Sequence, residues 1–318
     1  VKIIDAHCDV LWKMWTRKYL QKEPIQGAFY KDVEWLQVTK KKLARGKVAL
    51  QACAVYVSED PMLKRPFETA LEMIHIFNTE VVSEETIFIR GLEDLERWQS
   101  GDRLGLLLTL EGAESIEGDL TKLEVLHQLG VRWVGLTHNP ANQVADGVGE
   151  ERGAGLSNFG KKFVEELNRL RIAIDVSHLS VRGFWDVAEL SKQPFFASHS
   201  NTKKYLNHRR NLDDDQIKAI LQADGMIGLT YVPYFTSANE RVTLDDLLRH
   251  VEHVCSLGGA RNLGFGSDFD GISRTIVGLE DSSQTENWVN LLLRHYPDEV
   301  VKGFLSENWI QFMKRIWS

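Results

Sequence analysis

Seven residues able to bind a metal or move a proton close short apolar runs in this chain: His7, Asp9, Glu111, His138, His178, His199 and Asp268. In His7-Cys8-Asp9, side chains two apart on an extended segment point the same way, so His7 and Asp9 can grip one ion. Cys8 faces elsewhere and reads as a small packed hydrophobe. Imidazole with carboxylate suits a borderline cation such as zinc. Glu111 can bridge two cations, one oxygen to each. His178 and His199 add two neutral imidazoles. The five make His7, Asp9 and Glu111 on one side and Glu111, His178 and His199 on the other, a binuclear site with open positions for water.

Two of the seven, Asp268 and His138, and one further residue, Arg210, could act on a substrate. Asp268, in Gly266-Ser267-Asp268-Phe269-Asp270-Gly271, can accept a proton and pass it to a leaving amine. Asp270 either competes for that role or organises the turn before Gly271, and Asp268 is favoured because it sits nearer the strand end. His138 could donate to a carbonyl oxygen as charge develops. Arg210, in the loop after His199, could hold a carboxylate in a bidentate pair, or belong with Arg209 to a solvated patch.

These residues need a scaffold that brings strand ends together. The apolar runs Ile3–His7, Val48–Val57, Leu104–Glu111, Val131–His138, Ile172–His178, Phe195–His199, Met226–Tyr231 and Leu263–Asp268 read as parallel strands covered on both faces. Between them lie amphipathic helices: Leu120 to Leu129 stopping at Gly130, Phe159 to Leu167 after a cap at Ser157, and Leu244 to Cys255 before Gly258. Eight strands alternating with helices predict a (β/α)8 TIM barrel, whose chemistry sits at the C-terminal strand ends. A doubly wound sheet lacks its Gly-rich fingerprint here. One domain is expected over 1–318, with an insertion at 13–47 and a helical tail from about Ser283.

Composition agrees. The chain has 318 residues, 43% hydrophobic and 26% charged, with a net charge of −7, which fits a globular protein and argues against a nucleic-acid binder. No apolar run is long enough to span a bilayer. Three scattered cysteines form no disulfide framework and favour a reducing, cytoplasmic setting. The segment 147–153 is glycine-rich but lacks the ending of a phosphate loop, and is expected to be a mobile flap. His250 and His253 are expected on a solvated helix surface, and Lys40–Lys42 in a solvated loop.

In this order the residues resemble the renal (membrane) dipeptidase family of zinc peptidases, within the amidohydrolase-like barrels. The matching segments are Asp5-Ala6-His7-Cys8-Asp9, Leu110-Glu111-Gly112, Thr137-His138-Asn139, Asp175-Val176-Ser177-His178, Ser198-His199-Ser200, Arg210-Asn211, Gly264 to Gly271 and Glu307-Asn308. The resemblance implies two zinc ions, one on His7, Asp9 and Glu111 and one on Glu111, His178 and His199, with a bridging hydroxide. It also implies that His138 polarises the scissile carbonyl, Arg210 binds the terminal carboxylate and Asp268 manages the proton. The substrate would be a dipeptide, often with a D-residue on the carboxyl side; some family members also open β-lactams and many are homodimers.

The chain departs from better-known members at Leu229-Thr230-Tyr231-Val232, where they carry an Asn and aromatic pair, which bears on pocket shape. It ends at Trp317-Ser318 without a hydrophobic tail, as expected of a bacterial-type relative without a lipid anchor. Two rival readings remain: a cyclic-amide hydrolase or deaminase of the same superfamily, and a barrel that binds a metal or ligand without catalysis. Against the first, strand four ends in His138 rather than a lysine and the opening motif is H-x-D rather than H-x-H. Against the second, no ligand of the set is missing.

Overall fold

A computed structural model describes residues 2–58 and 65–318. Its strands, all parallel, are β1 (Ile3–Asp5), β2 (Val48–Tyr56), β3 (Thr86–Phe88), β4 (Leu104–Glu111), β5 (Val131–Gly135), β6 (Ala173–Asp175), β7 (Phe195–Ala197), β8 (Met226–Leu229) and β9 (Leu263–Phe265). Eight run β2-β1-β9-β8-β7-β6-β5-β4, and pairing of β2 with β4 closes the expected TIM barrel. The extra strand β3 pairs only with Leu104–Leu106 of β4; three residues are too short to show a pattern in sequence. Most strands stop before the apolar runs do. The chain therefore leaves the sheet just before His7, His138, His178, His199 and Asp268, and only Glu111 remains on a strand.

The helices form where the caps place them. Ser157 accepts from Gly160 N at the start of Asn158–Leu170, and Asp119 caps Leu120–Gln128. Thr243 and Asp246 form a capping box before Leu244–Ser256. The C-terminal helix Asn308–Trp317 closes the other end of the barrel. Trp309 stacks on Trp133 with centroids 5.3 Å apart and meets Phe196 edge-on. A Cβ on Gly264 would lie 2.1 Å from Trp309 Nε1, so β9 needs a glycine there. With that end filled by indoles, a polar site has only the opposite mouth. No helix among the described residues is long and apolar enough to cross a membrane.

Two expectations about surface residues fail. Lys42 is in the helix Lys40–Arg45 and is buried, its ammonium donating to Leu36 O (2.6 Å) beside Asp281 (3.1 Å). Lys42 and Leu43 are the buried residues of this helix, and a run of three like charges conceals that one of them turns inward. His250 is fully buried and His253 nearly so. The helix Leu244–Ser256 packs its histidine stripe inward because each ring finds a partner: His253 Nε2 meets Asp214 Oδ1 at 2.7 Å, and His250 Nδ1 accepts from Thr202 N at 3.1 Å. Since an amide only donates, the proton of His250 is on Nε2, which donates to Thr236 O at 2.8 Å.

Burial pulls His250 down to about 4, against the opposing bond to Thr236, with His253 adding to the depression. The folded protein thus binds fewer protons here than the unfolded chain between pH 4 and 6.5, so stability falls as pH falls through that window. A shift of this size corresponds to about 3 kcal/mol. In urea unfolding, the gap between wild type and His250→Gln should narrow from pH 7 to pH 4; a gap independent of pH would show that the ring is not held neutral.

Candidate active site

At the mouth, Glu111 Oε1 lies 3.1 Å from His178 Nε2, 3.5 Å from His199 Nε2 and 3.6 Å from His7 Nε2. His7 Nε2 is also 3.6 Å from Asp9 Oδ2 and 3.9 Å from Asp268 Oδ1. Six residues named from sequence therefore surround one point. His138 joins them, its ring centroid 4.4 Å from that of His178. Among the described residues, three sets bring their donor atoms within 4.8 Å of one another: His7, Glu111 and His199; Glu111, His138 and His178; and His7, Asp9 and Asp268. These tightest triples cut the cluster differently from the two ligand sets expected from sequence, although Glu111 is shared by two triples as it is there.

The hydrogen bonds decide what these atoms can hold. His178 Nδ1 faces Asn139 Oδ1 at 3.0 Å, an acceptor, so its proton is on Nδ1. Ser198 Oγ donates to Asp175 Oδ2 and therefore accepts from His199 Nδ1 at 2.6 Å. Both Nε2 atoms then present bare lone pairs, and they are 2.9 Å apart. Burial holds both imidazoles far below their ordinary range, so neither carries a second proton. Two lone pairs and a carboxylate oxygen so disposed repel one another unless a cation lies among them. His7 Nε2 and Asp9 Oδ1 are likewise buried without a hydrogen-bond partner.

The same demand for positive charge appears in the titration of the neighbours. Burial pulls His7 down, but Glu111, Asp9 and Asp268 together outweigh it and push the ring up to about 10. Burial, then Asp9, pushes Glu111 well above the carboxylate range and Asp268 up to about 8. Imidazole nitrogens and carboxylate oxygens without a thiolate fit divalent zinc well. Cys8 and Cys53 are buried and free, as packed hydrophobes should be.

Two aspartates without an assigned role in sequence build the frame. Asp5, the last residue of β1, accepts from Ser267 N (2.8 Å) and Ser267 Oγ (2.6 Å) in the loop after β9, and from His7 N (3.3 Å). Asp175, the last residue of β6, accepts from Ser177 N and Ser198 N, both at 2.9 Å, tying the His178 and His199 loops together. The paired signals Asp5-x-His7 and Asp175-x-x-His178 were visible in sequence, but only the parallel packing shows that each aspartate clamps the neighbouring loop. His178 and Asp268 both adopt φ of +66°, a backbone form side chains rarely take and one that functional loops often hold.

A cavity of about 330 Å³ opens over the cluster, lined by Asp9, Glu111, His138, His178 and Asp268 and walled by Trp12, Tyr56, Tyr234 and Phe235. Arg210 is not in its lining. It is buried, donating to His199 O at 2.9 Å and Ser200 Oγ at 3.3 Å, with Phe235 over the guanidinium at 5.4 Å. Burial brings it down to about 10 against the pull of Asp268 and Glu111, and its Nε has no hydrogen-bond partner. Asp270 does not compete with Asp268: its oxygens accept from Gln37 N (2.8 Å) and Val38 N (3.0 Å) and pin the insertion to the mouth. The expected flap is also tied down. Val148 N donates to His178 O, Gly149 N to Asn139 O, and a Cβ on Gly147 would meet His138 O at 2.1 Å.

Comparison with known proteins places this arrangement among others. A family model described as membrane dipeptidase (peptidase family M19) matches residues 1–317. The protein named dipeptidase aclJ from Aspergillus oryzae is 31% identical over 312 residues, which span 92% of this chain and 72% of that protein. Dipeptidase tcpJ from Claviceps purpurea is 29% identical over 294 residues, 88% of this chain and 69% of that one. Among solved structures, a metallopeptidase from Rhodobacter sphaeroides, liganded with a phosphinate mimic of the dipeptide L-Ala-D-Ala, superposes with a TM-score of 0.90 at 25% identity, covering 100% of this chain and 99% of that one. An amidohydrolase from Pseudomonas aeruginosa shares the fold at 24% identity with a TM-score of 0.83, covering 99% of this chain and 96% of that one.

Proposed function

The chain belongs to the membrane dipeptidase family and is a metallo-dipeptidase, a hydrolase of peptide bonds, and from that premise we propose that it cleaves free dipeptides with two zinc ions. The observation that carries the reading is the pair of bare Nε2 atoms of His178 and His199, 2.9 Å apart, with Glu111 Oε1 beside both. His7, Asp9 and Glu111 would hold one ion, and Glu111, His178 and His199 the other. Bound there, the ions supply a nucleophile from water near neutral pH and polarise the substrate carbonyl.

The chain's own residues do the rest. Glu111, fixed on β4, keeps the two ligand sets in register. Asn139 and the Asp175–Ser198 pair hold the imidazole rings of His178 and His199 in one tautomer, with Nε2 turned inward. His138, on the cavity wall, donates to the carbonyl oxygen as it gains charge. Asp268, half-buried beside His7, takes the proton at Oδ1 and returns it to the leaving amine. Arg210 pairs with the substrate's terminal carboxylate through its partnerless Nε, after Phe235 and the guanidinium adjust to open that face to the cavity. A D-residue on the carboxyl side is supported by the L-Ala-D-Ala mimic held by the Rhodobacter sphaeroides neighbour.

The test is zinc-reconstituted hydrolysis of a small panel of L,L- and L,D-dipeptides, each paired with its C-terminal amide. Free dipeptides should be cleaved about 10²-fold better than the amides, the usual weight of a buried charge-assisted hydrogen bond. Equal rates on both would remove Arg210 as the clamp. No cleavage of either by metal-loaded protein would move the reading to a cyclic-amide substrate.

A further inference from the structure

A second cavity, about 400 Å³, adjoins the catalytic one and shares Trp12, Gly271, Ile272 and Ser273 with it. Its remaining wall is Lys13, Thr16, Arg17, Gln21, Trp35 and Asp270. The sequence reading assigned none of these a binding role. Lys13 is the neighbour of Trp12 on the helix Val10–Trp15, and that helix runs on into a π-helical turn at Thr16–Leu20. Such turns are rare and turn up at functional sites, because widening one turn re-aims its side chains.

The chemistry of this wall is one-sided. Arg17 lies over Trp35, its Cζ 4.4 Å from the ring centroid, and gives one terminal nitrogen to Glu23. Its Nε is buried and has no hydrogen-bond partner among the described residues, and the same is true of Thr16 Oγ1. Lys13 and Gln21 are exposed at the rim. The one carboxylate in the wall, Asp270, spends both oxygens on the amides of Gln37 and Val38. Donors therefore outnumber free acceptors, and two of the donors, Lys13 and Arg17, are on basic side chains. The apolar complement, Trp12 and Trp35, would cover the methylenes of a bound chain.

We propose that this cavity is a subsite for an anionic group on the amino-terminal residue of the substrate, a glutamyl side-chain carboxylate held by Arg17 and Lys13. The inference rests on the dipeptidase reading and adds a substrate class to it. Its place in the barrel supports the amino-terminal side. The cavity lies on the loops after β1 and β9, whereas Arg210, the proposed partner of the terminal carboxylate, lies on the loop after β7, with β8 between. A substrate stretched across the mouth from Arg210 points its other end toward Trp12 and Ser273.

The experiment compares kcat/KM of the zinc enzyme for glutamyl-alanine and glutaminyl-alanine, which differ in charge but hardly in shape. The glutamyl substrate should lead by about tenfold, through KM, and the lead should shrink at high salt. Arg17→Met keeps the packing on Trp35 and should bring the ratio close to one; Lys13→Gln, at an exposed position, should lower it by a smaller factor and serves if Arg17→Met does not fold. A ratio of one in the wild type, or a ratio unmoved in both variants, overturns the subsite. A preference for glutamate on the carboxyl residue instead, in alanyl-glutamate against alanyl-glutamine, overturns its assignment to the amino side. Calorimetric titration of glutarate into the zinc-loaded protein separates this inference from the activity. If no dipeptide is cleaved, binding weakened by Arg17→Met keeps the subsite and removes the dipeptidase reading. Binding equal in both proteins puts the dianion on the catalytic centre and overturns the subsite.

Discussion

Glu111→Gln should lower turnover by about 10³-fold or more and reduce bound zinc from the proposed two ions per chain toward one. The magnitude follows from what the side chain contacts. Its Oε1 lies within 3.6 Å of three imidazole Nε2 atoms, those of His7, His178 and His199, so a single oxygen serves both halves of the proposed pair. The amide keeps the shape and removes the charge. It also presents either a second carbonyl dipole or two N–H donors, and donors facing bare imidazole nitrogens satisfy by hydrogen bonding the lone pairs that otherwise demand a cation. A loss of this size is several kcal/mol of transition-state stabilisation, within what metal ions supply. Folding should survive, because burial already pushes this carboxyl well above its ordinary range and the metal-free protein loses little by losing its charge. Metal analysis with circular dichroism checks both parts. Two zinc ions retained at full turnover would mean that Glu111 bridges nothing.

The site was legible in sequence because a parallel barrel turns one-dimensional information into position. A polar residue that closes an apolar run lies at the mouth whatever the helix that follows, so His7, Glu111, His178 and His199 could be brought together without knowing a single loop. What stayed hidden depends on contacts between neighbouring strands. Asp5 and Ser267 are 262 residues apart and meet only because β1 lies beside β9. His250 reads as surface because a histidine three residues from another on a helix has no partner in its own segment. Its partners, Thr202 and Thr236, come from the loop after β7 and the short helix Pro233–Thr236 after β8. Lys42 is buried against one nearby acceptor, Leu36 O, and one as distant as those of His250, Asp281. Arg210 shows the converse limit: its loop was placed correctly, but the guanidinium lies behind Phe235, a depth that no spacing encodes.

Asp268→Asn should leave the proposed two zinc ions bound and cut kcat by about 10²–10⁴, the ordinary weight of a proton-transfer group. The residue sits past the end of β9 with φ of +66°, a conformation that asparagine shares with aspartate, so the loop should keep its course. Its Oδ1 is 3.9 Å from His7 Nε2, near the reacting centre yet outside the two proposed ligand sets. That separation is why its loss should strike turnover rather than metal content. Burial and the nearby Asp9 charge push the carboxyl up to about 8; bound cations oppose that shift and favour the ionised form a base requires. The wild type should therefore lose kcat/KM as pH falls through the pKa of this carboxyl in the loaded enzyme, and the asparagine variant should lose that acid limb. Zinc lost together with turnover would make Asp268 a ligand, as its place in the triple with His7 and Asp9 allows. Turnover kept with zinc in place would assign the proton to another group on the cavity wall, of which His138 is the nearest candidate by chemistry.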